Sequence, residues 1–200
     1  RDFIICGGYR ISTIKEYFQN FYIYQSDIAL NTKTNMVRVL NDDTEDWNVF
    51  VVDTGITATP IERVRKVLKY IDKEQFLITY GDCLTDIPLK KFAEEFDCSG
   101  KEFAVSLAHP SGRKMPISFE LLGDSENHHS EVWTSAGIFI TYKGFFEHIT
   151  ADGEIEAILH HAKKDDLYLY KHDGYWNTIE TLRDKAAAEK LWEKDNAPWM

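Results

Sequence analysis

What the sequence lacks narrows it first. It has three cysteines, Cys6, Cys83 and Cys98, with no CxxC pair and no metal-ligand spacing. Neither a disulfide framework nor a structural zinc site is indicated, and a reducing, cytoplasmic setting is expected. Basic residues are outnumbered, 23 Lys and Arg against 33 Asp and Glu, for a formal charge of -10. That deficit disfavours nonspecific nucleic-acid binding, which depends on neutralising phosphates with Lys and Arg. It leaves room for a nucleotide as a small ligand, because a magnesium ion can supply the positive charge locally. No apolar run approaches the length of a membrane span, and no signal peptide is expected. There is no Walker loop, no GxSxG elbow, no GxGxxG and no basic-aromatic stripe. Repeats, low-complexity tracts and flexible linkers are absent too, so a single domain over residues 1–200 is the simplest expectation.

What is there alternates. Apolar, β-branched runs at Phe3–Cys6, Trp47–Asp53, Phe76–Tyr80, Phe103–Ala108, Trp133–Tyr142 and Leu167–Tyr170 read as strands. Helices are expected over Ile11–Phe21, after Thr59-Pro60, over Pro88–Phe96, Gly144–Ile149 and Glu154–Ala162, and over Thr181–Glu193. Proline in the first turn suits the start of the second of these. Residues 22–45 read as short strands and polar loops, and 109–131 as polar and irregular, with a further strand possible at Ile117–Leu122. The pattern predicts an α/β protein, a mostly parallel sheet with helices on both faces. Arg1-Asp2 runs at once into an apolar strand, so a segment upstream of Arg1 is expected.

Ligands of open parallel α/β sheets bind beyond the carboxyl ends of the strands. Gly7-Gly8-Tyr9, Asp53-Thr54-Gly55 and Gly81-Asp82 occupy such ends. Asp82 is the strongest metal candidate, since a carboxylate directly after a strand and a glycine suits a hard cation. The alternative is that Asp82 caps a turn or the following helix. Gly7-Gly8 reads as a tight strand-to-helix turn or a point of close backbone packing. His128-His129 and His160-His161 read as exposed loop and helix residues.

Longer blocks carry a resemblance. DFIICGGYRISTIKEYF at 2–18, SDIAL at 26–30, WNVFVVDTG at 47–55 and FLITYGDCLTDI at 76–87 occur in order, followed by GYWNTIETLRDK at 174–185 and LWEKDNAPW at 191–199. Together they resemble bacterial glucose-1-phosphate cytidylyltransferases, within the sugar-1-phosphate nucleotidyltransferases. The resemblance implies a Rossmann-like nucleotidyltransferase fold lacking its first strand-loop-helix unit. It also implies an in-line reaction in which glucose 1-phosphate attacks the α-phosphorus of CTP, giving CDP-glucose and pyrophosphate with Mg²⁺ as cofactor. Such chemistry serves nucleotide-sugar supply for lipopolysaccharide or polysaccharide biosynthesis. Its partners are CTP and a sugar 1-phosphate rather than nucleic acid or membrane, and assembly into a homo-oligomer is left open.

Residue by residue, the resemblance assigns the metal to Asp82 and Glu180, the latter standing where the family has aspartate. It places Asp82 and Arg113 at the reaction centre, and Gly8, Tyr9, Arg63 and Gly81 at the nucleotide. Ser135, Gly137, Glu154 and Glu156 fall on the sugar side, with Ser135 in place of an asparagine. Departures accompany these matches. A glycine-containing TGG segment has become Pro60-Ile61-Glu62, and Lys114-Met115-Pro116 replaces the end of the block holding Gly112-Arg113. An EKP lysine expected on the sugar phosphate has no counterpart in 117–132, and the family's GGxGTR loop and PKP lysine would lie upstream of Asp2. Two alternatives remain open: a cytidylyltransferase for another phosphorylated acceptor, and a catalytically inactive relic or binding subunit.

Overall fold

The computed structural model describes residues 1–41, 45–110 and 132–200. The described residues group into two structural units, Arg1–Asp72 with Asp152–Ile155, and Lys73–Ala151 with Glu156–Met200.

In the first unit the run DFIICG forms β1 (Asp2–Gly7). Helices α1 (Ile11–Gln19) and α2 (Phe21–Tyr24) follow, and then a hairpin of β2 (Ile28–Asn31) and β3 (Met36–Val39). The expected single helix therefore breaks at Asn20, whose side-chain amide bonds back to the Glu16 carbonyl. Strand β4 (Asn48–Asp53) pairs in parallel with β1, Asp2 opposite Asn48 and Gly7 opposite Asp53. Helix α3 (Pro60–Val67) starts where proline and its neighbours demand. Thr59 accepts the Glu62 N–H at 3.2 Å and the Glu62 carboxylate accepts the Thr59 N–H at 2.9 Å, a reciprocal cap that satisfies two orphan donors. The apolar side of α3, Ile61, Val64 and Val67, is buried.

The second unit is built on a four-stranded sheet in the order β5 (Gln75–Thr79), β8 (Thr134–Tyr142), β7 (Phe103–Ala108), β9 (Leu167–His172). Strand β8 runs antiparallel to both β5 and β7, while β7 and β9 are parallel. Parallel and antiparallel pairing thus coexist, and the direction of β8 was not readable because an apolar run carries no sense of direction. Every residue of β7 is buried, as a central strand covered on both faces requires. Helix α4 (Leu89–Ser99) lays Phe92 and Phe96, one turn apart, against Ala104, Ala108, Ile138, Ile140 and Tyr170. Each such ring contributes about 1.5–3 kcal/mol of burial. Gly100, with φ of 64°, ends that helix in the left-handed conformation.

Helix α5 (Lys143–His148) follows β8. The helix expected at 154–162 is a 3₁₀ turn, Ile155–Ala157, running into the one-turn α6 (Ile158–His161). His160 and His161 are exposed, as expected. Two strands of three residues, β6 (Cys83–Thr85) and β10 (Trp176–Thr178), form a separate antiparallel ladder, and α7 (Leu182–Trp192) closes the chain. Among the described residues no helix is long and apolar enough to cross a membrane. The loops expected within 22–45 lie partly, and the strand at Ile117–Leu122 and the pair His128-His129 wholly, outside the described residues.

Candidate functional site

Two strand ends meet in the first unit. The Thr54 N–H and hydroxyl both donate to the Gly7 carbonyl, at 2.9 and 2.8 Å, joining the carboxyl ends of β1 and β4. Arg63, one turn into α3, donates to the Thr54 hydroxyl at 2.7 Å and to the carbonyls of Gly7 and Ile56 at 3.2 and 3.4 Å. The Lys66 ammonium donates to the Thr54 carbonyl at 2.6 Å. The Arg63 guanidinium is therefore held by protein acceptors, and it stabilises the turn that carries Gly8 and Tyr9. A Cβ on Gly8 would lie 2.8 Å from the Gly55 oxygen and 2.9 Å from Arg63 Nη1, so glycine is required by close approach. The left-handed residue of this turn is Arg10, at φ 54°, rather than either glycine. Tyr9 is exposed.

Beside this framework, Cys6 is held above the ordinary thiol range by burial, with the Arg63 charge opposing the shift. The Asp152 carboxyl is held low, chiefly by the hydroxyl of Thr59, which donates to it at 2.8 Å. Glu154, two residues on, is exposed within the same unit.

A second cluster forms in the other unit, where β5 ends and β8 begins. Gly137 adopts φ 73°, a left-handed conformation that glycine takes without a side-chain penalty. Its carbonyl accepts the Tyr80 N–H at 3.2 Å, and its N–H donates to Ser135 Oγ at 3.1 Å. A Cβ there would lie 2.8 Å from Cys83 Sγ and 2.9 Å from the Tyr80 ring, so β5, β6 and β8 converge on this one backbone position. The Tyr80 hydroxyl donates to Glu156 Oε2 at 2.8 Å. Ser135, Gly137 and Glu156, expected on the sugar side, are thus joined through Tyr80. Sequence reasoning assigned Tyr80 no role; the available signal was a hydroxyl at the end of the apolar run FLITY.

Asp82 and Glu180 are brought together by the β6–β10 ladder. Cys83 pairs with Thr178, and just beyond that pair the Ile179 N–H donates to the Asp82 carbonyl at 2.8 Å. Glu180 is the next residue, and its Oε1 accepts the Thr178 hydroxyl at 3.0 Å. Both side chains are exposed. The helix-cap alternative for Asp82 does not hold, because α4 starts at Leu89 with Pro88 in the cap position. Gly81 beside it faces open space. Trp176 is buried, its indole N–H donating to the Ala136 carbonyl at 2.8 Å, which identifies it as a packing residue. Among the described residues no three His, Cys, Asp or Glu side chains converge as a complete metal cage. Two exposed carboxylates still fit Mg²⁺, which prefers oxygen, keeps several waters and takes one or two carboxylates together with substrate phosphates. Arg113 lies outside the described residues.

No protein-family model matches the chain. It is similar to glucose-1-phosphate cytidylyltransferase of Salmonella typhi, at 33% identity over 208 residues, covering 100% of this chain and 80% of that protein. The protein of the same name from Salmonella typhimurium gives 33% over 207 residues with the same coverage. A probable glucose-1-phosphate cytidylyltransferase of Bacillus subtilis gives 27% over 205 residues, covering 99% and 80%. Among solved structures, HddC from Yersinia pseudotuberculosis superposes with a TM-score of 0.64 at 14% identity, covering 96% of this chain and 78% of its own. HddC complexed with GMP-PN gives 0.58 at 15%, covering 94% and 77%. Likeness at that identity carries the fold alone, an α/β fold shared with HddC. With 33% identity running its whole length, the chain belongs to the glucose-1-phosphate cytidylyltransferase family.

Proposed function

We propose that this protein transfers the cytidylyl group of CTP to glucose 1-phosphate, releasing pyrophosphate and forming CDP-glucose. The observation that carries the reading is the identity to two glucose-1-phosphate cytidylyltransferases across the entire chain. A phosphate oxygen of glucose 1-phosphate attacks the α-phosphorus of CTP, the bond from that phosphorus to the bridging β-oxygen breaks, and pyrophosphate leaves with the electron pair. No covalent enzyme intermediate is needed. The work is to align two anions and offset their repulsion.

Asp82 and Glu180 would hold Mg²⁺, which offsets phosphate charge and orients the reacting groups. Their placement on adjacent ends of one ladder supports this role. On the acceptor side, Glu156 offers a carboxylate for sugar hydroxyls, oriented by Tyr80, and Ser135 adds a hydroxyl whose oxygen is already anchored by the Gly137 N–H. Gly137 itself keeps the backbone open to the sugar. Gly8 and Tyr9 face the nucleotide in this reading, on a turn secured by Arg63; Glu154 and Arg113 complete the acceptor side and the reaction centre. A cytoplasmic setting, where CTP and sugar phosphates are made, belongs to the same reading.

The test is product analysis with CTP, glucose 1-phosphate and Mg²⁺. CDP-glucose and pyrophosphate should appear in equal amounts and only with the metal. Asp82→Asn and Glu180→Gln should each lower kcat by at least about 100-fold, as loss of a metal ligand does. Metal-independent turnover, or full activity in both variants, would refute the assignment.

A further inference from the structure

The β6–β10 ladder has an unusual burden for its size. Each strand has three residues, with Trp176 opposite Thr85, Asn177 opposite Leu84 and Thr178 opposite Cys83. Asp82 and Glu180 stand just past one end. A one-residue slip would move one carboxylate by about 3.4 Å along the strand and turn its neighbours to the opposite face. Mg²⁺ tolerates no such error, since it demands near-octahedral geometry at about 2.0–2.1 Å. Three pairs specify register weakly, so the register must be fixed from outside the ladder.

The other end shows how. The Asp86 N–H and the Thr85 hydroxyl both donate to the Tyr175 carbonyl, at 3.2 and 2.8 Å. His172 Nε2 contacts Asp86 Oδ1 at 2.6 Å, with only 11% of the His172 side chain and 35% of the Asp86 side chain exposed. Gly174 roofs this contact: a Cβ there would lie 2.5 Å from both Asp86 Oδ1 and His172 Nε2. His172 is the last residue of β9 and lies in register with Ala108 of the fully buried strand β7. The contact therefore ties Asp86, and the ladder with it, to the rigid sheet. A shielded hydrogen bond to a carboxylate is among the stronger ones available.

We propose that Asp86 and His172 are positioning residues that lock the register of the β6–β10 ladder, and thereby set the placement of the Asp82 and Glu180 carboxylates around a divalent cation. The metal half of this statement rests on the reading of Asp82 and Glu180 given above. In that reading neither Asp86 nor His172 is itself a ligand of the ion.

The test compares His172→Leu with His172→Gln, whose amide nitrogen can occupy the Nε2 position, and with Gly174→Ala, which pushes on the same contact from the other side. One readout is hydrogen exchange at the Ile179 and Asp86 amides. The second is Mn²⁺ affinity in the presence of CTP, followed by electron paramagnetic resonance. In His172→Leu and Gly174→Ala both amides should exchange at least about 10-fold faster, while amides of β7 keep their protection. Mn²⁺ affinity should fall about 10-fold, the usual effect of removing a supporting contact behind a metal ligand. His172→Gln should stay within about threefold of the parent on both measures, if the retained donor carries the effect. Unchanged exchange in His172→Leu, or equal loss of protection throughout β7, would overturn the lock. Asp82→Asn separates the two readings. Mn²⁺ affinity indifferent to Asp82→Asn would defeat the metal role, while the exchange data still judge the lock. Affinity lost in Asp82→Asn but intact in His172→Leu would defeat the positioning role alone.

Discussion

Replacing Gly137 by alanine probes the point where three strands of the second unit meet. The methyl group would lie 2.8 Å from Cys83 Sγ and 2.9 Å from Tyr80 Cδ2, and the backbone would remain at φ 73°. A left-handed non-glycine residue costs about 1–2 kcal/mol, and forcing a methyl into occupied space about 1–3 kcal/mol more. The expected loss is about 2–5 kcal/mol, or roughly 4–20 °C in the melting transition of a protein this size. Gly100 supplies the internal control, since it has φ 64° but no heavy atom within 4 Å of the added Cβ. Gly100→Ala should therefore cost only the backbone part, about 1–2 kcal/mol. Cys83→Ala removes one of the two obstacles, so the double variant Gly137→Ala/Cys83→Ala should regain at least about 1 kcal/mol relative to additivity. Urea unfolding followed by tryptophan fluorescence measures the parent and all four variants. If Gly137→Ala costs no more than Gly100→Ala, or Cys83→Ala restores nothing, the convergence of β5, β6 and β8 on Gly137 does not have the energetic role argued here.

Three further variants probe other contacts. Tyr80→Phe removes the hydrogen bond to Glu156 and should raise KM for glucose 1-phosphate about 10-fold with KM for CTP unchanged; equal effects on both would contradict the acceptor-side role. Thr181→Ala deletes the cap of α7 and should cost about 1 kcal/mol in urea unfolding. In the same variant the Asp184 carboxyl, held low chiefly by the Thr181 hydroxyl, should move back up toward the ordinary aspartate range in an NMR titration. Tyr168 is pushed up to about 12, first by burial and then by its bond to the Glu95 carboxylate. Its folded value exceeds the unfolded value of 10.0, so its contribution is complete below pH 10 and is lost as pH rises toward 12. Alkaline unfolding of Tyr168→Phe should lack that component, and a profile identical to the parent's would count against it.

Much of the architecture was legible because it rests on local pattern. Trp47–Asp53, Phe76–Tyr80, Phe103–Ala108 and Trp133–Tyr142 became strands within a residue or so of expectation, since each is an apolar run bounded by turn residues. Thr59-Pro60 opened α3 because the cap and the proline act within one helical turn. Strands β6 and β10 were not expected. Three residues are too few for a two-residue period to register, and the partners lie about ninety residues apart in the chain. The break at Asn20 was also missed, because an aromatic-rich helical pattern continues across it.

The candidate site divides along the same line. The residues themselves, Asp82, Glu180, Ser135, Gly137 and Glu156, came from sequence blocks, because block order and residue identity survive in a linear string. Their relations did not. That Tyr80 bridges Gly137 to Glu156, that Arg63 is held by the carbonyls of its own unit, and that His172 reaches Asp86 are facts of strand register and close approach. Sequence alone determined the family, the strand–helix alternation and which carboxylates to examine, since these depend on residue type and local spacing. Only the tertiary structure decided which of those residues meet, because pairing between distant strands is set by packing that no local pattern records.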